Sequence, residues 1–245
     1  MLKCLTAGLL ALMLTSLVLF YAWTRIRADS EAAEAPRMVI IEGPTKHAVT
    51  PIMTEVSRTM VERQAPAFES TDFDGRRYIL GNLDRKGPVV LIFVKEGCPC
   101  SDAAQPLFNQ VHAAYPGATF LGVINSDAKT ARRWADKHRV RYPLLLDPDH
   151  RIIRDYNIEN SAYVVLIAPE GRIRKHWPGY SSAMLQELGR DLATLVGTAE
   201  LPLDVADAPE ILYSGCPFEF ESLDDRNGES GLPDHRLKKA GPSTR

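Results

Sequence analysis

Four cysteines, at positions 4, 98, 100 and 216, are the side chains of this 245-residue chain best suited to covalent chemistry. Two of them stand in the run Gly97-Cys98-Pro99-Cys100-Ser101. Proline suits the first position of a helix, because its missing N–H would be unpaired there anyway, and this makes Cys98 the N-cap of a helix that follows. A thiolate at an N-cap meets exposed backbone N–H groups and the positive end of the helix dipole, and both favour the ionised form. Lys95 would add to that effect and Glu96 would oppose it. Since the thiolate is the nucleophile of disulfide exchange, Cys98 is the expected attacking group. Residues two apart on a helix point about 200° away from each other. A bridge from Cys98 to Cys100 therefore needs a distorted first turn and would be strained and easily reduced. Cys216, in Ser214-Gly215-Cys216-Pro217, is either a distant resolving thiol or half of a structural disulfide that pins the tail, since cysteines in an oxidising compartment generally find partners. Cys4 lies in the apolar N-terminal segment and reads as a bystander. The plainer alternative is that Cys98 and Cys100 are small apolar residues filling a strand-to-helix corner. A Cys-x-Cys pair supplies too few ligands for a metal, and no metal or cofactor is expected.

The elements that must hold this cluster are legible from hydrophobic pattern. Residues 88–94, Pro-Val-Val-Leu-Ile-Phe-Val, form an unbroken apolar run of the kind a strand buried on both sheet faces shows. It leads directly into the cysteine cluster. A helix is expected over 102–115, with Leu107, Phe108, Val111 and Tyr115 on one side. A second buried strand follows at 118–124, then a helix capped by Ser126 or Asp127 and ending at His138, and a third strand at 142–146. Residues 162–167 and 172–177 flank Pro169-Glu170-Gly171 as a hairpin, and 181–196 is a closing helix with Met184, Leu185, Leu188, Leu192 and Leu195 along one side. Nearer the start, Asp74-Gly75 marks a turn between short extended segments at 67–68 and 77–80. The order predicts an α/β domain with a central mixed sheet covered by helices on both faces.

The ends set the context. Residues 4–24 contain no charged side chain and are rich in leucine, with Lys3 before them and Arg25 and Arg27 after. That length spans a bilayer core of about 30 Å as a helix. A transmembrane signal anchor is expected at 1–27, with a cleaved signal peptide as the competing reading, and both send the domain outside the cytoplasm. Residues 28–63, with Pro36, Pro44 and Pro51, read as a tether with a short strand at 38–41, and 64–197 as the domain. Residues 198–245 read as an irregular tail with one apolar island at 211–220, around Cys216, that packs on the domain, and with disorder from 222 onward. Lys and Arg total 29 against 31 Asp and Glu, so no basic excess points to nucleic acid.

Over 64–197 the chain resembles the thioredoxin-like redoxins, which include peroxiredoxins, alkyl hydroperoxide reductase-like proteins and membrane-anchored thiol-disulfide oxidoreductases. The carrying residues are Gln64-Ala-Pro-Ala-Phe68 with Asp74-Gly75, residues 89–98, Tyr142-Pro-Leu-Leu-Leu-Asp-Pro-Asp149, and Val164-Val-Leu-Ile-Ala-Pro-Glu-Gly-Arg-Ile173. The resemblance implies a thioredoxin-like fold and thiol-disulfide exchange with Cys98 attacking, resolved by Cys100, Cys216 or an external thiol. Ser101 falls where the thiol-disulfide oxidoreductases of this group carry their resolving cysteine, and it or the Cys100 amide after Pro99 would orient the incoming sulfur. Ala162 falls where the group has a cis-proline that faces the active site. A protein dithiol or disulfide, or a membrane electron donor, is the implied partner. The peroxidatic run Pro-x-x-x-Thr/Ser-x-x-Cys does not surround Cys98 or Cys100, which makes a thiol peroxidase the weaker enzymatic reading. Copper delivery would need Cys-x-x-x-Cys and a histidine where Asn160 stands. His112, His138, His150 and His176 are expected at the surface. The non-enzymatic alternative is a degenerate redoxin acting as a membrane-tethered interaction module.

Overall fold

The apolar run after Pro88 becomes a strand with every residue buried, and the rest of the domain is arranged around it. The computed structural model describes residues 47–219, with Ser16 the sole position described before them. The expected membrane segment, the strand at 38–41 and the tail beyond 219 lie outside the described residues. Among the described residues no helix is long and apolar enough to cross a membrane.

The elements run α1 (Pro51–Met60), β1 (Glu69–Thr71), β2 (Arg77–Ile79), α2 (Leu80–Leu83), a 3-10 turn, β3 (Val89–Val94), α3 (Pro99–Ala114), β4 (Thr119–Ile124), α4 (Ala128–Lys137), β5 (Leu144–Leu146), α5 (Arg151–Asp155), β6 (Val164–Ile167), β7 (Ile173–Trp177) and α6 (Ser182–Val196). Five strands form one sheet in the order β5-β4-β3-β6-β7. β3 pairs parallel with β4 and antiparallel with β6, which places it at the centre. Alternate side chains of a strand point to opposite faces. Accordingly, Val90, Ile92 and Val94 join a core with Leu107, Phe108 and Val111 of α3 and Leu185, Leu188 and Leu192 of α6. Val89, Leu91 and Phe93 face a second core with Met53 and Met60 of α1 and Ile152 and Ile153 of α5. This is the mixed sheet with helices on both faces that the hydrophobic pattern predicts.

Three expectations are corrected. Residues 51–60, assigned to the tether, form a helix: Thr50 accepts the Met53 amide at 3.2 Å, Pro51 opens the first turn, and Met53, Ser57 and Met60 face inward. Pro51 is a helix-starting proline, its missing N–H falling where no intrahelical partner exists. The extended segment at 67–68 is displaced to 69–71, where Glu69 pairs with Ile79 and Thr71 with Arg77. One of the four histidines is not at the surface. His176 is buried, with Nε2 2.9 Å from the Tyr156 carbonyl oxygen, and burial pushes its pKa down to about 4. His112, His138 and His150 are half-buried.

Loss of an N-cap hydroxyl costs roughly 1 kcal/mol. Thr50→Ala should lower the unfolding free energy by about that amount in urea titration, and no change would mean that α1 does not belong to the cooperative unit.

Candidate functional site

The central strand delivers the cysteines. β3 stops at Val94, and Lys95-Glu96-Gly97 turns the chain, with the Cys98 amide donating back to the Lys95 carbonyl at 3.3 Å. Gly97 sits at φ 76, a left-handed conformation that glycine adopts without steric penalty. Cys98 is the N-cap of α3 with extended backbone (φ −89, ψ 117), and its carbonyl accepts the Asp102 amide at 3.1 Å. Because Cys98 lies outside the helix proper, the 200° rule for helical residues does not apply to it.

That sulfur is almost wholly withdrawn from solvent, with Cys98 1% exposed. It makes no side-chain capping bond to α3, contrary to the expectation that first-turn amides would hold it. Its donors come from elsewhere. The Ser161 hydroxyl lies 3.2 Å away and the Cys216 amide 3.1 Å away. The Cys98 thiol is held well below the usual thiol range, most strongly by the bond from the Cys100 thiol, against the cost of burial, and further by the Cys216 thiol, the Ser161 hydroxyl and the Cys216 amide. The Cys100 thiol is pushed up, first by that same bond to Cys98 and then by burial. The pair therefore divides into one acidic sulfur and one sulfur that keeps its proton. Cys98, Cys100 and Cys216 are all thiols, with no disulfide among them.

Ser161 belongs to the loop before β6. That loop is stitched to the central strand by bonds from the Ala162 amide to the Phe93 carbonyl at 2.7 Å and from the Phe93 amide to the Tyr163 carbonyl at 3.0 Å. Ala162 is buried and takes a left-handed φ of 62. Among the described residues every peptide bond is trans, that of Ala162 included. The tail reaches the same loop from the other side. The Ser161 amide donates to the Cys216 carbonyl at 2.9 Å and the Gly215 amide to the Ser161 carbonyl at 2.8 Å. The apolar island around Cys216 thus packs on the domain directly over the cysteines.

Lys95 and Ser101 have other tasks than those expected of them. The Lys95 ammonium donates to the Pro217 carbonyl at 2.7 Å and lies 3.5 Å from a Glu219 carboxylate oxygen, so it fastens the tail. The Ser101 hydroxyl oxygen accepts the Lys95 amide at 3.2 Å and stabilises the turn.

A family model described as the AhpC/TSA family matches residues 61–176. This domain is a thioredoxin-like redoxin. The thiol-disulfide oxidoreductase ResA of Bacillus subtilis is 29% identical over 139 residues, covering 56% of this chain and 75% of that protein. The soluble secreted antigen MPT53 of Mycobacterium tuberculosis is 28% identical over 132 residues, covering 54% and 70%. A solved structure of a putative thiol:disulfide interchange protein DsbE from Chlorobium tepidum superposes with a TM-score of 0.52 at 20% identity, covering 56% of this chain and 98% of that one, a likeness of fold.

Two contributors to the redoxin site escape sequence reasoning: Ser161, 63 positions from Cys98, and the Cys216 backbone amide, 118 positions away. A polar residue directly before Ala162 was the available signal for the first. A backbone donor leaves no residue-type signal.

Removing the Ser161 hydroxyl withdraws a donor from the ionised form of Cys98. Ser161→Ala should therefore shift the Cys98 titration to higher pH, read by thiolate ultraviolet absorbance. An unmoved titration would show that this contact does not stabilise the thiolate.

Proposed function

We propose that this chain is a membrane-anchored thiol-disulfide oxidoreductase whose redoxin domain works outside the cytoplasm, with Cys98 as nucleophile. The observation that carries the reading is the Cys98 sulfur at the head of α3, supplied by the Ser161 hydroxyl at 3.2 Å and the Cys216 amide at 3.1 Å. A sulfur ionised at neutral pH attacks disulfides, whereas a protonated one does not. The similarity to ResA supports the same chemistry. The uncharged run at 4–24 and the secreted character stated in the name of MPT53 support the location.

In the reaction, the Cys98 thiolate attacks one sulfur of a partner disulfide R–S–S–R′. The S–S bond breaks, R′ departs as a thiolate that takes up a proton, and a mixed disulfide Cys98–S–S–R remains. A second thiol then attacks the Cys98 sulfur and releases R as a thiolate, so that two electrons pass to the partner. Run in reverse, the sequence oxidises a partner dithiol. A protein dithiol or a membrane electron donor would restore the reduced form after each reductive turnover. Ser161 acts by stabilising Cys98 as a leaving group as well as an attacking one, since the leaving thiol's acidity also governs exchange.

A non-catalytic interaction module is the second reading, and one observation favours it: Cys98 is 1% exposed beneath the tail. Turnover separates the two. With a protein disulfide and a recycling thiol reductant, the wild-type chain should accelerate reduction and Cys98→Ser should fall to the uncatalysed rate. Equal rates for the two proteins would remove the catalytic reading and leave the module.

A further inference from the structure

Residues 211–219 do more than cover the site. They run antiparallel to the loop before β6, with the Phe218 amide donating to the Glu159 carbonyl at 2.9 Å, Asn160 opposite Pro217, and the Ser161 amide and carbonyl bonded to Cys216 and Gly215. Two glycines make the approach feasible. A Cβ at Gly215 would lie 2.1 Å from the Ser161 hydroxyl oxygen, and one at Gly179 would lie 2.1 Å from the Tyr213 carbonyl oxygen. Anchors flank the cysteine. Tyr213 is buried and exchanges both backbone bonds with Tyr180, at 2.8 and 2.9 Å, while Phe218 is buried in the core that contains Met53 and Tyr156. Lys95 holds the Pro217 carbonyl between them.

We propose that Cys98 and Cys216 are the exchanging dithiol of this protein, Cys216 being the thiol that resolves the mixed disulfide formed at Cys98. The proposal deepens the Cys98 exchange reading and rests on it. With its amide nitrogen 3.1 Å from the Cys98 sulfur, Cys216 has its Cα within about 4.6 Å of that sulfur. That bound lets the Cys216 side chain, whose sulfur is two bonds from its Cα, reach the Cys98 sulfur by a local adjustment of the tail to the specific geometry a disulfide needs. The competitor, Cys100, is fully buried in the first turn of α3. Cys216 is half-buried on an irregular segment between glycine and proline. A free sheet edge or extended loop is where an incoming peptide adds backbone bonds. Here the tail holds that edge, so a substrate strand must displace 215–218. Return of the tail would then bring Cys216 to the mixed disulfide and eject the substrate in one movement.

The probe is oxidised glutathione. The Cys98 thiolate attacks it, forming a glutathione mixed disulfide and releasing one glutathione thiolate. The Cys216 thiolate attacks Cys98, closing the Cys98–Cys216 disulfide and releasing the second. Both glutathione thiolates take up protons, and the chain's two thiols are oxidised by two electrons. The full-length chain in detergent is treated, acid-quenched, digested and mapped by mass, alongside Cys100→Ser and Cys216→Ser. The wild type and Cys100→Ser should yield peptides joined through Cys98 and Cys216 with no glutathione retained. Cys216→Ser should lose the cross-link and accumulate glutathione on Cys98. If Cys216→Ser instead closes Cys98 to Cys100 and clears glutathione as fast as the wild type, the role of Cys216 is overturned while Cys98 exchange stands. If Cys98 takes up no glutathione in any of the three proteins, both readings fall.

Discussion

A sulfur anion withdrawn from water is costly unless hydrogen-bond donors replace the lost hydration. At Cys98 the replacements are the thiols of Cys100 and Cys216, the Ser161 hydroxyl and the Cys216 amide. Only Cys100, in the first turn of α3, is a near neighbour of Cys98 in sequence. The end of β3 with Gly97 sets the sulfur at the head of α3, the loop before β6 brings Ser161 through its bonds to Phe93, and the tail brings Cys216. The central place of β3 in the sheet is what lets these three segments meet at one atom, because its partners β4 and β6 hold it rigid from both sides.

The tail gives the site a second property. A segment whose backbone pairs with 159–161 supplies donors to the thiolate and at the same time shields it. Acidity and accessibility are thereby set against each other: the docked tail makes the sulfur acidic and hard to reach, and the lifted tail exposes a sulfur that has lost two of its donors. Lys95, which composition suggests as an electrostatic aid to the thiolate, acts in this structure on the tail through Pro217 and Glu219. Ser101, which the sequence suggests as an aid to the incoming sulfur, supports the Lys95 turn.

What the sequence made legible was the part governed by local pattern. The apolar run at 89–94, the Pro99 helix start, Asp127 as cap of α4 and the hairpin turn at Gly171 each follow from residue type and neighbours. The failures have a common cause in contacts distant along the chain. Residues 51–60 are a weakly apolar helix that depends on docking Met53 and Met60 against β3 and α5, and proline density obscured its cap. His176 is a polar residue on a strand otherwise alternating in and out, and its partner carbonyl lies on Tyr156. Ser161 reaches Cys98 only after β3 and β6 pair, and the Cys216 amide would be the same donor whatever the side chain at 216.

The most direct measurement is the alkylation rate at each cysteine of the full chain as a function of pH, with the label placed by peptide fragmentation. The donor arrangement predicts that Cys98 titrates well below the free-cysteine value of about 8.5, while Cys100 remains unmodified across the same range. Cys98 titrating at the ordinary value, or reacting no differently from Cys100, would contradict the account of an acidic sulfur held by donors from Ser161 and the tail.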